Sequence, residues 1–273
     1  MRLAVVGHVE WVQFARVERV PAPGAIVHAQ DTWEEAAGGG AVAAVQLARL
    51  AGGAAFFTAL GDDELGHRAA EQLAAAGLDV HVAWRAHPQR RAFTFLDADG
   101  ERTITVMGER LIAHAEDPLP WEELAGADGV YFTGGDPGAL RAARRARVLV
   151  ATPRARETLD TAGVRLDALV LSAGDEGERT RSTELQPSPS IVVATDGERG
   201  GRWTAGEGRE GVYEAVPLPG PAVDAYGAGD SFAAGLTYGL AAGENLDAAL
   251  ALAARCGAHC IAGRGPYEAQ LRL

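Results

Sequence analysis

The sequence predicts a three-layer α/β protein with a mostly parallel central sheet and a small β-sheet lid. Short apolar runs that end in small or polar residues alternate with helix-like stretches, which is typical of parallel strands covered by helices on both faces. Two segments of alternating character interrupt this series. No fixed-period repeat or low-complexity linker divides the 273 residues, so we expect a single α/β domain over 1–273.

The first elements are a strand, a projecting segment and a glycine-led helix. "RLAVVGH" at 2–8 is an apolar run that reaches a glycine, as buried strands do. Prolines and a glycine at 21–24 break the next stretch, which predicts a first lid segment at about 11–36. An Ala-rich helix follows from Gly38–Gly40 to Gly52. Such a glycine-rich helix start leaves backbone amides available to a ligand.

A second βα unit and a second projecting segment come next. "AAFFTALG" at 54–61 predicts a strand, and the stretch after it predicts a helix that Gly77 ends. In "RAFTFLDADGERTITV" two alternating runs flank Asp99 and Gly100, a strong hairpin signal. We therefore predict a second lid segment at about 84–108.

The strand and helix series then resumes to the end of the chain. Four further strands are predicted at 129–134, 147–152, 168–173 and 190–195, and "AAGLTYGLAAG" at 233–243 is compatible with a helix. A parallel sheet of this kind binds ligands at the carboxyl ends of its strands.

Composition excludes several classes of function. A formal net charge of −12 and a pI near 5.0 argue against a nucleic-acid surface, because phosphate binding needs clustered Lys and Arg. The sequence lacks a run of roughly 18 apolar residues and a signal-peptide pattern, so a cytoplasmic protein without a membrane span is the expectation. Cys256 and Cys260 share a helix face beside His259, and core packing is favoured there over a metal site.

"DAYGAGDSF" at 224–232 carries the chemistry of the chain. Small residues at Gly227, Ala228 and Gly229 let consecutive amides point to one place, and the following helix adds its positive end, which suits a phosphate. Asp230 has two interpretations. It caps the helix, or it accepts a proton from a hydroxyl that attacks the phosphate. "TDGERGG" at 195–201 is weaker, since any tight turn before a hairpin uses such glycines.

These motifs give the chain its resemblance to the ribokinase-like (PfkB) family of carbohydrate kinases. "DAYGAGDSFAAG" resembles the second signature of the family, and "GGGAVAAVQLARLAG" resembles the more degenerate first signature. "GDDELGHRAAEQLAAAGLDV", "DADGERTITV", "TDGERGG" and "GRGP" follow the order usual in the family. The resemblance covers nearly the whole chain.

The resemblance implies a set of roles, residue by residue. It makes Asp230 the general base and the amides of Gly227, Ala228 and Gly229 an anion hole. It places Thr195, Gly197, Gly200, Asp224 and Gly265 on the nucleotide side, with Asp224 near a monovalent-cation region, and Glu10, Gly38, Gly39 and Gly40 with Asp230 on the substrate side. The two projecting segments become a lid over the sugar. Asp175 is the candidate Mg2+ residue.

Departures from the family pattern concentrate on the sugar side. The family commonly has Asn where this chain has Val42, and an Asn-x-Asp pair where it has Glu10 and Val12. Ser172 and Asp175 stand where the family has Asn and Glu of a metal-organising motif. Ala225 replaces the usual Thr.

The expected function is ATP-dependent phosphorylation of a hydroxyl on a sugar or sugar-like molecule, with Mg2+ on the nucleotide and K+ as a further candidate cofactor. A nucleoside kinase and a catalytically weakened nucleotide- or sugar-binding protein are the alternatives. Trp11, Gln13, Phe93 and Arg102 are each as consistent with facing the ligand as with facing away. A homodimer through the lid is an alternative to a solvated lid.

Overall fold

A computed structural model describes residues 1–178 and 184–273. Its strands are β1 (Leu3–Val6), β2 (Glu10–Arg16), β3 (Asp31–Ala37), β4 (Ala54–Gly61), β5 (Leu78–Arg85), β6 (Arg91–Leu96), β7 (Arg102–Met107), β8 (Gly129–Phe132), β9 (Val148–Ala151), β10 (Ala168–Ser172), β11 (Ile191–Thr195), β12 (Gly201–Ala205) and β13 (Arg209–Tyr213). Its α-helices are α1 (Gly39–Ala51), α2 (Glu64–Ala75), α3 (Pro137–Ala143), α4 (Arg156–Ala162), α5 (Ala228–Ala241) and α6 (Leu246–Ile261).

Within these residues the large sheet has the strand order β13-β12-β11-β10-β9-β8-β1-β4-β5. The seven strands from β11 to β5 pair in parallel, and β12 and β13 form an antiparallel edge. The predicted parallel sheet is thus confirmed. The direction of the chain reverses at 197–200, where a short turn joins β11 to β12. The backbone of "TDGERGG" therefore forms the tight turn of a hairpin.

Helices cover both faces of this sheet, as a three-layer fold requires. On one face α1, α2, α5 and α6 bury a large apolar cluster that includes Phe56, Leu47 and Leu236. On the other face α3 and α4 pack over Phe132 and Leu149. Strands such as β1, β8 and β9 are buried along their whole length, which explains why they are continuous apolar runs in the sequence.

The lid is a separate four-stranded sheet with the order β3-β2-β6-β7. Each projecting segment supplies one antiparallel pair, and the two pairs are joined by parallel pairing of β2 with β6. The second segment is shorter than the predicted 84–108, because β5 extends to Arg85 and pairs with β4 in the large sheet. β5 lies at an edge of the sheet and is unevenly buried, so its sequence lacks the continuous apolar run of a buried strand.

Two further expectations concern the cysteines and the hydropathy of the helices. Cys256 and Cys260 are unbridged and buried, and burial raises the pKa of both thiols to about 12, as core packing would have it. None of the helices in the described residues combines the length and apolarity that crossing a bilayer requires.

Candidate active site

The candidate site lies where the carboxyl ends of β1, β8, β9 and β10 meet the first turns of α1 and α5 beneath the lid. Parallel strands gather these ends at one edge of the sheet. Glycine permits the close approach of α1 to the end of β1. A Cβ added at Gly40 would lie 2.6 Å from the His8 carbonyl oxygen, so α1 starts in direct contact with the end of β1.

The glycine loop before α5 presents backbone amides rather than side chains. Gly227 is the N-cap residue, with a φ of 82° in the left-handed region. A side chain there would be strained and would also meet Val42 Cγ1 at 2.9 Å. No side chain in the described residues caps this helix. Its first amides are therefore available to an anion, and a Cβ at Gly229 would meet nothing within 4 Å.

Asp230 lies in the first turn of α5 and does not serve as its cap. Its carboxylate points at α1, since a Cβ on Gly39 would lie 2.8 Å from Asp230 Oδ1. Burial raises the pKa of Asp230 to about 6, the nearby charges of Arg154 and Arg102 oppose this shift, and Glu178 and Glu10 add to it. A half-buried carboxylate with a pKa in this range is suited to accept a proton near neutral pH.

Asp224 holds the glycine loop in place. Its Oδ1 accepts a hydrogen bond from the Tyr226 amide (2.8 Å) and its Oδ2 accepts one from the Gly265 amide (3.0 Å). Gly265 has a φ of 64°, a conformation that favours glycine. Asp224 thus connects the loop to the segment after α6, which is a structural role. Its predicted contact with a nucleotide or monovalent cation stays a prediction.

The lid also contacts this loop. The Arg102 side chain on β7 donates from Nη1 to the Ala225 carbonyl (2.8 Å), and Arg16 on β2 donates to the Val223 carbonyl (3.3 Å). Arg102 therefore faces the glycine loop. Trp11, by contrast, donates to Glu34 (3.1 Å) and packs away from the glycine loop.

At the predicted acceptor end, His8 and Glu10 follow β1 and are only 8% and 7% exposed. Glu10 Oε1 lies 2.9 Å from Arg90 Nε, at the start of the second lid segment. A Cβ added at Gly38 would come within 3.5 Å of both Glu10 Cγ and His8 Cδ2. Burial raises the pKa of Glu10, while Arg90 and Arg110 oppose that rise. The predicted substrate residues Glu10 and Gly38–Gly40 thus lie together with Asp230.

The departures at positions 12 and 42 have a structural reason. Val12 and Val42 are fully buried and pack with Phe14, Leu96 and Tyr226 in an apolar cluster between the lid and the glycine loop. Phe14 and Tyr226 meet edge to face at 5.1 Å. These valines join the lid to the body of the molecule, so a polar side chain there would be buried without a partner.

Arg154 organises the acidic residues after β10. It pairs with Asp175 Oδ2 at 2.5 Å and with Glu178, whose second oxygen accepts from the Ser172 amide at 2.8 Å. Asp175 Oδ1 accepts from the Gly177 amide. Carboxylate oxygens are the ligands that Mg2+ prefers, but each of these four already has a donor. Because the Arg154 cation already pairs with both carboxylates, this arrangement does not fit a directly coordinated Mg2+, and the assignment of Mg2+ to Asp175 stays a prediction.

The predicted nucleotide-side residues lie on a more open surface. Thr195 ends β11, Gly197 is exposed on the turn, and Gly200 has a φ of 77°. A Cβ on Gly200 would meet the Tyr213 carbonyl at 2.1 Å, so this glycine is required by the β12–β13 edge. A cavity of about 170 Å³ beside the turn is smaller than the roughly 300 Å³ of a usual small-molecule site.

Sequence reasoning missed His8, Arg90, Arg110, Arg154 and Glu178, which surround the predicted residues. They lie on connections that leave the strand ends, and arginines on connections are usually solvated. Only Glu178, three residues beyond Asp175, stood close enough to a predicted residue to be found from the sequence.

Together, the parallel sheet, the uncapped glycine loop, the carboxylate after it and the lid define a small-molecule kinase. A model of the "pfkB family carbohydrate kinase" matches residues 1–170 and 176–271. The chain therefore belongs to the PfkB family of carbohydrate kinases and is an ATP-dependent carbohydrate kinase.

Individual relatives agree with this assignment. A fructokinase from Klebsiella pneumoniae is 30% identical, covering 86% of this chain and 90% of its own length. An ATP-dependent ribose-1-phosphate kinase from Halopiger xanaduensis is 29% identical, covering 97% of this chain and 93% of its own. The structure of Arabidopsis thaliana ribokinase complexed with ribose and ATP is 22% identical and superposes with a TM-score of 0.77, covering 99% and 96% of the two chains. This last similarity concerns the fold.

Proposed function

We propose that this kinase transfers the γ-phosphoryl group of ATP to a hydroxyl of a sugar or sugar-derived acceptor, with Asp230 as the general base. The observation that carries the proposal is the position of the Asp230 carboxylate. It caps no helix, it faces Gly39 beneath the lid, and its raised pKa of about 6 suits proton transfer.

In the proposed reaction the acceptor hydroxyl oxygen attacks the γ-phosphorus while its proton passes to Asp230. The bond from the γ-phosphorus to the oxygen that bridges it to the β-phosphate breaks, and ADP leaves. The amides of Gly227, Ala228 and Gly229 stabilise charge on the phosphoryl oxygens, which is the main contribution a protein makes to phosphoryl transfer. The free helix start of α5 supports this role.

The cleft has two ends in this proposal. Glu10 and Gly38–Gly40 hold the acceptor beside β1, and Thr195, Gly197 and Gly200 lie toward ATP beside β11. The strand order supports the division, because β1 is separated from β11 by β8, β9 and β10. Asp230 lies between the two ends, as a base for the acceptor hydroxyl must.

A panel of sugars, sugar phosphates, sugar acids, polyols and nucleosides with coupled detection of ADP tests the proposal. We expect turnover of one acceptor class, with one phosphorylated product for each ADP released. A preference for nucleosides would favour the nucleoside-kinase alternative. Melting-temperature shifts without ADP release from any acceptor would favour a binding protein and contradict the proposal.

A further inference from the structure

At the proposed acceptor end of the cleft, the guanidinium group of Arg110 has no acidic partner among residues 1–178 and 184–273. Arg110 lies on the chain that returns from β7 to the large sheet. Its Nη2 donates to the Thr133 carbonyl (2.9 Å) and to His8 Nδ1 (2.7 Å), and its Nη1 donates to the Arg154 carbonyl (3.2 Å). All three acceptors are uncharged when His8 is neutral.

No carboxylate oxygen of residues 1–178 and 184–273 lies within 4.0 Å of this guanidinium. Its Nε is enclosed and has no hydrogen-bond partner there. A cation removed from water without a counter-ion is costly, so such a group is normally paired. An anion bound beside it would supply the missing partner.

His8 fixes the orientation of this group. Burial lowers the pKa of His8 well below 6.5, and the charge of Arg110 lowers it further, so the ring is neutral at pH 7. A neutral imidazole accepts at Nδ1 when its proton is on Nε2. Arg110 itself remains protonated, because its pKa is lowered only to about 10.

Two other arginines point into the same region. Arg90, with a side chain 18% exposed, pairs with Glu10, and both Arg90 and Arg154 are close enough to lower the pKa of Arg110. Glu10 is the carboxylate that opposes this effect most strongly. Arg154 is already engaged by Asp175 and Glu178. Arg110 is therefore the group whose charge is left for a ligand.

The position of Arg110 is on the acceptor side. It contacts His8 after β1 and Thr133 after β8, and these strands are neighbours in the large sheet. His8 in turn borders Gly38 and Gly40 at the start of α1. The nucleotide-side residues lie beyond β9 and β10.

We propose that Arg110, with Arg90 beside it, determines acceptor specificity by binding an anionic group, so that the preferred acceptor is a sugar carrying a phosphate or a carboxylate. The proposal rests on the proposed sugar-kinase function. A guanidinium binds either anion through paired N–H donors, and in an enclosed site such charge-assisted bonds are strong. A neutral sugar would leave Arg110 without a counter-ion.

Matched acceptor pairs test this proposal: fructose with fructose 6-phosphate, ribose with ribose 1-phosphate and ribose 5-phosphate, and glucose with gluconate. For at least one pair we expect the wild-type kcat/KM to be about 100-fold higher for the anionic member, because buried charge pairs at binding sites are worth several powers of ten. A ratio of about 100-fold in a sugar phosphate pair would show a preference for phosphate, and the same ratio for gluconate over glucose would show a preference for carboxylate.

Two variants of Arg110 and one control complete the design. Arg110→Met keeps the length of the side chain without its charge, and we expect the anionic member to lose at least about tenfold more kcat/KM than the neutral member. Arg110→Lys should recover part of the difference. Arg255→Met, on the exposed face of α6, is the matched control and should leave both members unchanged.

Binding is measured separately from turnover, by the melting-temperature shift that each anionic sugar causes without ATP. We expect a shift in the wild type that Arg110→Met loses. A wild-type preference for every neutral member, an equal loss on both members, or an increase in the KM of ATP alone would each overturn the proposal. Failure of the kinase proposal is distinct, because it would appear as no ADP release with any acceptor.

Discussion

At the proposed acceptor end of the cleft His8 and Glu10 are almost fully buried, whereas at the proposed nucleotide end Thr195 is half-buried and Gly197 lies exposed on a turn. The proposed acceptor end is built mainly from charged or polar side chains that come from the chain after β1, from the lid and from the connection after β7. The nucleotide end and the glycine loop are built mainly from backbone. A site built from backbone amides needs glycines close together in the chain, so it can be seen in the sequence. A site built from side chains of distant segments has no such local pattern.

The largest expected effect is at Asp230, the proposed general base. Asp230→Asn keeps the shape of the side chain and removes the base, so kcat should fall by about 10²- to 10⁴-fold. Because the folded state raises the pKa of this group from 3.8 to about 6, its charge destabilises the fold at pH 7. Thermal unfolding should therefore show an unchanged or higher Tm. Near-normal turnover would remove Asp230 from the mechanism.

Gly39 tests whether backbone placement also matters at the acceptor end. The methyl group of Gly39→Ala would lie 2.8 Å from Asp230 Oδ1 and would displace the carboxylate. Since misplacement of a reacting group by about 1 Å can cost about 10²-fold, we expect kcat to fall by about 10- to 100-fold. Gly220→Ala is the control, because its added Cβ meets nothing within 4 Å. Equal rates for both variants would contradict this geometry.

The pH profile of kcat tests the electrostatics of the centre. Only the deprotonated carboxylate accepts a proton, so the rate should be constant above a pH of about 6 and fall tenfold per pH unit well below it. The negative charge of Glu178 contributes to the raised pKa of Asp230. Glu178→Gln should therefore move the acid limb to lower pH. A limb that stays in place in this variant would show that another group titrates.

The apolar cluster provides the smallest expected effect, and it acts on stability. Val42→Asn places the residue that is common at this position of the family signature in a fully buried site beside Gly227. An unpaired amide there should lower the free energy of unfolding by about 1–3 kcal/mol, measured by urea denaturation. Val42→Ile at the same position is the apolar control. A stable Val42→Asn variant with higher activity would mean that position 42 contacts the acceptor.

Much of the fold could be predicted, and the reason differs between elements. Strands β4, β8, β9 and β10 are buried along nearly their whole length, so each is a continuous apolar run bounded by small or polar residues. β5 lies at the edge of the sheet with uneven burial, so its sequence does not form such a run. Edge position is a property of sheet order, which no local pattern specifies.

The candidate site divides in the same way. The sequence predicts that Gly227 forms a turn before a helix. Its φ of 82° lies in the left-handed region, which explains why glycine is needed at this position. The valines at 12 and 42 looked like lost sugar contacts in the sequence. In the fold they are the contact between lid and body, because β2 pairs with β6 and its inner face packs on α1 and Tyr226.

By itself the sequence determined the α/β class, the two lid segments, the glycine loop and Asp230 after it, because each depends on residues that are neighbours in the chain. Tertiary structure alone decided what surrounds Asp230. His8, Arg90 and Arg154 follow strands of the large sheet, whose carboxyl ends lie at one edge, and Arg110 follows β7 of the lid that covers this edge. Charge compensation is a property of that assembled edge, so the uncompensated guanidinium of Arg110 appears only once the chain has folded.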